Sequence, residues 1–241
     1  GMVGSSPANP AKPVQIKCAA LSGTEAFRPV PQRLVDLEPL YASFCPKEVA
    51  DNRSMQHVVP VDINRDGRMD LMVYIWCSPV VGGQEFTGST PSRIRAFLQD
   101  AQGNFLDKTA DVFGTDDVQP GGVGEYYATG DFNGDGYTDI IWSLNREDGR
   151  RIQSPPVTQY VRNVALLSRG NGRYAMESFG NPAWGFGVTA FDNASGGKDF
   201  ITASSSEGSK AWTYTASAGF TPLAGFEWLN STGPLFLDRP R

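Results

Sequence analysis

Two short stretches limit what this chain can become: VDINRDGRMDLMV at 61–73 and GDFNGDGYTDIIW at 130–142. In the first, Asp62, Asn64, Asp66 and Asp70 place side-chain oxygens at positions 1, 3, 5 and 9 of a loop, and Gly67 at position 6 permits a sharp turn. In the second, Asp131, Asn133, Asp135 and Asp139 do the same around Gly136. The backbone carbonyls of Arg68 and Tyr137, at position 7, would add one more oxygen. An all-oxygen set on alternate residues suits a hard cation that takes six to eight such ligands, so the expected ion is Ca²⁺, one in each loop. Three carboxylates crowded into one loop repel one another and themselves argue for a cation. Asp, Asn and Gly are also ordinary turn residues. The metal reading is preferred because the whole pattern recurs, each time followed at once by an apolar run.

The loops are not EF-hands, which end in a bidentate Glu at position 12 and enter a helix. Position 12 here is Val73 or Trp142, and the following residues, Leu71 to Trp76 and Ile140 to Trp142, are β-branched, aliphatic and aromatic. Each loop therefore closes a β-hairpin. At this point the chain resembles the FG-GAP/VCBS repeats of integrin-α-like β-propellers: Ala128-x-Gly130-Asp131-x-Asn133-Gly134-Asp135-Gly136-x-x-Asp139-Ile140 follows the calcium-loop half of that repeat. The first copy is looser, with Pro60 and Val61 where a small residue and Gly are expected. The resemblance implies a propeller blade with calcium in the hairpin between its first two strands. It does not imply one activity.

Strand signals fall at 58–62, 69–76, 93–99 and 105–110, then 125–131, 139–143, 162–168 and 173–178, then 186–191, 199–204, 210–215 and 220–228. Four antiparallel strands repeated three times predict an all-β, β-propeller-like fold of about three recognisable four-stranded blades, a partial or small propeller. The blade region is read as 58–241, after a flexible Pro- and Ser-rich leader at 1–15 and a segment at 16–57 that could complete the ring. In that segment 34–41 reads as one helical turn or an edge strand. Cys18 and Cys45 are the expected disulfide, leaving Cys77 unpaired and buried, with Cys45–Cys77 as the rival pairing. Three blades fall short of the four to eight of closed propellers, so open edges make homo-oligomers an expectation.

The third hairpin, Phe191 to Ile201, keeps the closing Asp199 but loses most ligand positions and is one residue shorter. It is expected to bind no calcium. Lys198 could stand in for the missing ion as a fixed charge, although a solvated surface lysine is the simpler reading.

In a four-stranded antiparallel blade, the connections after the first and second strands lie at opposite ends. The long connections Ser78–Ser92 and Leu144–Tyr160 thus oppose the calcium loops, and so does 111–124 between blades; loops of this length on a rigid scaffold are where recognition residues sit. Candidate partner contacts are Gln84, Glu85, Phe86, Asn145, Arg146, Arg150, Arg151 and Tyr160. Phe86, displayed among Gly and Thr, is suited to stacking or anchoring. The net charge of −5 disfavours nucleic acid, and no apolar run reaches the length of a membrane span. Gly1-Met2 has neither a basic region nor an apolar run behind it, so no secretion signal is read at this end.

His57 is the single histidine, read as a satisfied structural residue, and no nucleophile-elbow, P-loop, CxxC or HExxH motif occurs. Three functional readings follow. The first is a calcium-stabilised, non-catalytic propeller module of an exported protein, periplasmic, cell-surface or secreted, that binds a protein or glycan. The alternatives are a hydrolase or substrate-positioning domain acting on polysaccharide or phosphoester, and a purely structural spacer.

Overall fold

The computed structural model describes residues 18–20, 28–30, 35, 37–45, 54–77, 80–81, 84–85, 92–145, 161–183, 185–204 and 208–226. The first described elements are a short ribbon, β1 (Cys18–Ala20) with β2 (Arg28–Val30), and a helix, α1 (Glu38–Phe44). The first blade is β3 (Ser54–Val61), β4 (Asp70–Cys77), β7 (Ser92–Gln99) and β8 (Phe105–Asp107), with a small ribbon of β5 (Val80–Val81) and β6 (Gln84–Glu85) inserted between β4 and β7. A second helix, α2 (Thr109–Phe113), leads to the second blade, β9 (Val123–Gly130), β10 (Asp139–Asn145), β11 (Val161–Ser168) and β12 (Tyr174–Ala183). The third blade is β13 (Gly185–Asp192), β14 (Lys198–Ser204), β15 (Gly208–Thr215) and β16 (Gly219–Pro222).

Each blade is an antiparallel meander in which sequence neighbours are sheet neighbours, β3-β4-β7-β8, β9-β10-β11-β12 and β13-β14-β15-β16. The architecture is all-β and propeller-like, as the strand repeat predicts. The ribbon β1-β2 pairs only within itself among the described residues and adds no strand to a blade.

The blades stack face to face, which explains why β4 and β10 read as continuous apolar runs. Every residue of β4 is buried: Met72, Tyr74 and Trp76 meet Ile140, Trp142, Leu144 and Leu166 of the second blade, while Leu71, Val73, Ile75 and Cys77 turn the other way. A sheet covered on both faces loses the alternation of a half-solvated one. The opposite face of the second blade, with Ile141, Ala165, Leu167 and Phe179, packs on Phe200, Trp212 and Phe220 of the third. Tyr74 ties the first interface, because its hydroxyl donates to the Gly121 carbonyl at 2.7 Å. Its ring lies where a Cβ on Gly124 would come within 2.9 Å.

Four expectations are corrected. The disulfide joins Cys45 to Cys77, not to Cys18. Cys77 ends β4 on the face away from the second blade, and there α1 lays Leu40 and Phe44 over it beside Val35 and Leu37. The Arg93 guanidinium stacks over the Phe44 ring at 5.1 Å. The Cα atoms of the pair are 5.7 Å apart, within the span a disulfide bridges. Second, of the two readings of 34–41 the edge strand fails and the helical one holds, extended to the helix Glu38–Phe44, whose apolar residues cap a sheet.

Third, the strand expected at 105–110 stops at Asp107. The Asp107 carboxylate accepts both the backbone N–H of Thr109, at 3.0 Å, and its hydroxyl, at 2.7 Å, turning the chain into α2. That helix ends at Gly114 in the left-handed conformation. Fourth, the last strand ends at Pro222 instead of running to 228, because a turn with Gly225 at φ 87° follows.

Candidate metal centre

Both loops sit where the sequence places them, closing β3–β4 and β9–β10, with the position-9 Asp paired across the ladder to the residue before position 1: Asp70 with Val61, Asp139 with Gly130. Their internal hydrogen bonding is nearly the same. The Asp62 carboxylate accepts the backbone N–H groups of Asp66 at 3.1 Å and Gly67 at 3.0 Å. Asp131 accepts those of Asp135 at 3.1 Å and Gly136 at 2.8 Å, and also that of Gly134 at 2.7 Å. The side-chain carbonyls of Asn64 and Asn133 turn to the same position-5 N–H, at 3.1 and 2.9 Å. Asp66 and Asp135 accept the N–H of position 7, Arg68 and Tyr137, at 2.9 and 2.8 Å. Position 6 must be Gly for this wrap, since φ is 82° at Gly67 and 81° at Gly136.

The closing aspartates do a different job. Asp70 is fully buried and accepts the N–H of Ile63 at 2.9 Å and of Gln99 at 2.8 Å. Asp139, equally buried, accepts the N–H of Phe132, Asn133 and Ser168 at 2.8, 3.1 and 2.7 Å. Gln99 and Ser168 are the last residues of β7 and β11. One carboxylate thus braces the hairpin loop to the end of the third strand. Burial raises the Asp139 carboxyl to about 7, against the lowering effect of its three N–H donors; burial likewise raises Asp70.

The donor chemistry fits a hard cation: carboxylate, carboxamide and backbone oxygens, with no sulfur or imidazole. The oxygens of positions 1 and 3 converge on one N–H in each loop. Around that N–H the carboxylates are turned to the backbone, and among the described residues no three His, Cys, Asp or Glu side chains are grouped so as to hold an ion. In the first loop the Arg68 guanidinium also pairs with Asp66 and donates to the Gln99 carbonyl at 2.9 Å. A cation in that loop would share Asp66 with Arg68.

The two loops touch. Arg65, at φ 58°, lays its guanidinium over the Tyr137 ring with 4.6 Å to the centroid. Asn64 packs at the β11–β12 turn, where a Cβ on Gly172 would approach its own Cβ to 3.3 Å. The Tyr174 hydroxyl donates to the Thr138 carbonyl at 2.6 Å. Burial first, then the carboxylates of Asp139, Asp135, Asp62 and Asp70, raises that phenol, so one side chain lies in the field of both loops.

In the third blade Asp199 pairs with Phe191 at the same place in the ladder. There the Asn193 carbonyl oxygen accepts the N–H groups of Ser195 and Gly197, both at 3.0 Å, and its amide donates to Asp199 at 3.2 Å. Lys198 makes an ion pair with Asp192.

Of the proposed partner contacts, Gln84 and Glu85 form β6, and Asn145 ends β10, at the end of the blades away from the loops. Phe86, Arg146, Arg150, Arg151 and Tyr160 lie outside the described residues. His57 is half-buried, with ring centroids 5.5 Å from Trp76 and 6.0 Å from Tyr127, and burial lowers its pKa. It is a packing residue, yet among the described residues its Nδ1 finds no hydrogen-bond partner, unlike the satisfied histidine expected. Sequence reasoning missed Gln99, Ser168, Arg65 and Tyr174 as parts of this region. No local spacing singles them out, because each acts through a residue distant in sequence.

Stacked four-stranded meanders with hairpin loops of this kind define a propeller-like module. Within it the family model for the FG-GAP repeat matches residues 128–150, which contain the whole second loop and all of β10, so that segment is similar to an FG-GAP repeat. No curated protein and no solved structure matches the chain. Among the described residues no helix is long and apolar enough to cross a membrane.

Proposed function

We propose that the chain is a calcium-stabilised, non-catalytic propeller-like module of an exported protein, recognising a protein or glycan with the end of its blades opposite the loops. The observation that carries this reading is the recurrence of one oxygen-only loop, with nearly the same hydrogen-bond arrangement, on two adjacent blades. Asp62, Asn64, Asp66 and the Arg68 carbonyl would hold one ion, and Asp131, Asn133, Asp135 and the Tyr137 carbonyl the other, with Asp70 and Asp139 bracing each loop or turning inward as ligands. Binding would stiffen one end of the blades.

Export is supported by the Cys45–Cys77 disulfide, since such bonds persist in oxidising compartments. The recognition end is argued from topology, because the long β4–β7 and β10–β11 connections both emerge there. FG-GAP repeats are generally non-catalytic.

The test is the melting temperature in excess Ca²⁺ against excess chelator. A ligand specific to the native state contributes about 2.7 kcal/mol at a hundredfold its dissociation constant, which for a chain of this size raises Tm by roughly 5 to 11 °C. Asp66→Ala and Asp135→Ala each remove part of that rise. A melt indifferent to calcium in the unmodified protein would defeat the metal assignment.

A further inference from the structure

We propose that Arg65, which belongs to the first loop, is a positioning residue for the metal site of the second loop. This rests on the calcium reading above. Position 4 of such a loop has no ligand role in the first loop, where Asn64 and Asp66 flank it. Yet Arg65 projects across the blade boundary, and its guanidinium covers Tyr137 at 4.6 Å from the ring centroid. A Cβ on Gly136 would come 3.7 Å from the same guanidinium, so Arg65 lies beside the backbone at position 6 and over the ring at position 7 of its neighbour. Tyr137 supplies the position-7 carbonyl, the one backbone ligand of the second site. The stack therefore restrains the segment that must present its carbonyl to the ion.

The contact is anchored at both ends. On the first blade, Arg65 holds a left-handed backbone conformation between residues whose side chains are bonded to each other, Asn64 Nδ2 donating to Asp66 at 2.9 Å. On the second, Tyr137 donates its N–H to Asp135 and is followed by Thr138, whose carbonyl accepts from Tyr174. Anything that orders the first loop orders Arg65, and through it the second loop. Binding of two ions is then positively coupled, because ordering one loop removes part of the entropy that the other must lose.

The sign of the effect separates positioning from charge. Arg65 carries a positive charge beside a cation site, so if only electrostatics mattered, removing it would tighten calcium binding. If it positions Tyr137, removing it weakens binding.

The experiment is isothermal titration calorimetry of the whole chain with Ca²⁺, in an Asp62→Ala background that removes a ligand of the first loop but keeps the Asn64–Asp66 bond beside Arg65, so that the second loop alone reports. Adding Arg65→Ala should weaken binding roughly two- to fivefold, the size a surface cation–π contact supplies. Arg65→Lys should restore part of it. Tyr137→Leu should weaken binding similarly and make Arg65→Ala silent, whereas Tyr137→Phe should not. Melting in chelator should be unchanged by the Arg65 substitutions, showing that the fold is intact. Binding that is unchanged or tighter in the Arg65→Ala variant overturns the proposal, as does additivity of Arg65→Ala with Tyr137→Leu. Heat from the unmodified protein but none in the Asp62→Ala background, where that anchor is intact, overturns this inference while leaving the first site standing. Absence of heat from both overturns it together with the calcium reading.

Discussion

The hairpins of the second and third blades occupy equivalent places and solve the same geometric problem with different chemistry. In the second, the Asp131 carboxylate gathers the N–H groups of Gly134, Asp135 and Gly136, with Asn133 and Asp135 adding further acceptors. In the third, a single neutral amide, Asn193, gathers two N–H groups, and the acidic residue at position 1, Asp192, is turned outward to Lys198. A tight hairpin needs acceptors for its backbone donors; it does not need three carboxylates. The surplus of negative charge in the first two loops is thus not explained by turn formation, and it is what a bound cation would neutralise.

The largest effect that would sharpen this comparison is at the closing aspartate. Asp139→Ala leaves three N–H groups without an acceptor, two of them buried and that of Asn133 part-buried, and each costs about 1 kcal/mol or more. Denaturant unfolding should show a loss of about 3 kcal/mol or more, measured in chelator so that metal plays no part. Asp199→Ala, which removes the acceptor for the Asn193 amide, should cost less. Equal losses would show that the two hairpins are braced alike.

The next effect is on pH dependence. The folded-state pKa of Asp139 is raised from its ordinary 3.8 to about 7, chiefly by burial. A carboxyl raised on folding contributes stability that is fully present below its unfolded value and is lost as pH rises through its folded value. The metal-free protein should therefore melt at a higher temperature at pH 5.5 than at pH 8. Calcium should reverse this order, since protons compete with the ion for carboxylates. Asp139→Asn should flatten the metal-free profile; a profile that persists in that variant would place the titration elsewhere.

The smallest effect belongs to Lys198. Its ion pair with Asp192 is exposed, with the aspartate side chain 82% accessible. Such pairs contribute between zero and about 1 kcal/mol. Lys198→Ala should shift the melt within that range and leave its calcium response unchanged. A large loss would show that the lysine stands in for an ion, whereas its exposure fits a surface residue.

Much of this molecule was written in local order. The loops announce themselves because a side chain at alternate positions and a Gly at position 6 act within nine residues. The strands that follow are legible because Leu71 to Cys77 is apolar throughout. The three-blade count follows from the repeat of those signals, and the FG-GAP resemblance from the spacing at 128–140. The helix at Thr109–Phe113 could have been found too, from Asp107 before Thr109 and Gly114 after the last turn. Its residues straddle the strand expected at 105–110 and the connection expected at 111–124, and at five residues it is too short to show a helical period.

What only the tertiary structure decided are contacts between residues far apart in sequence. The sulfur of Cys45 meets that of Cys77 because α1 covers the outer face of the first blade, and nothing local in either cysteine's surroundings distinguishes that pairing from one with Cys18. Asp139 reaches Ser168 and Asp70 reaches Gln99 because the third strand of each blade ends beside the hairpin. Arg65 meets Tyr137 because two blades stack in one register. Residue types and short spacings carry the chemistry that a loop can offer, but which distant donor, ring or thiol completes it depends on how sheets pack, and packing is a property of the whole chain.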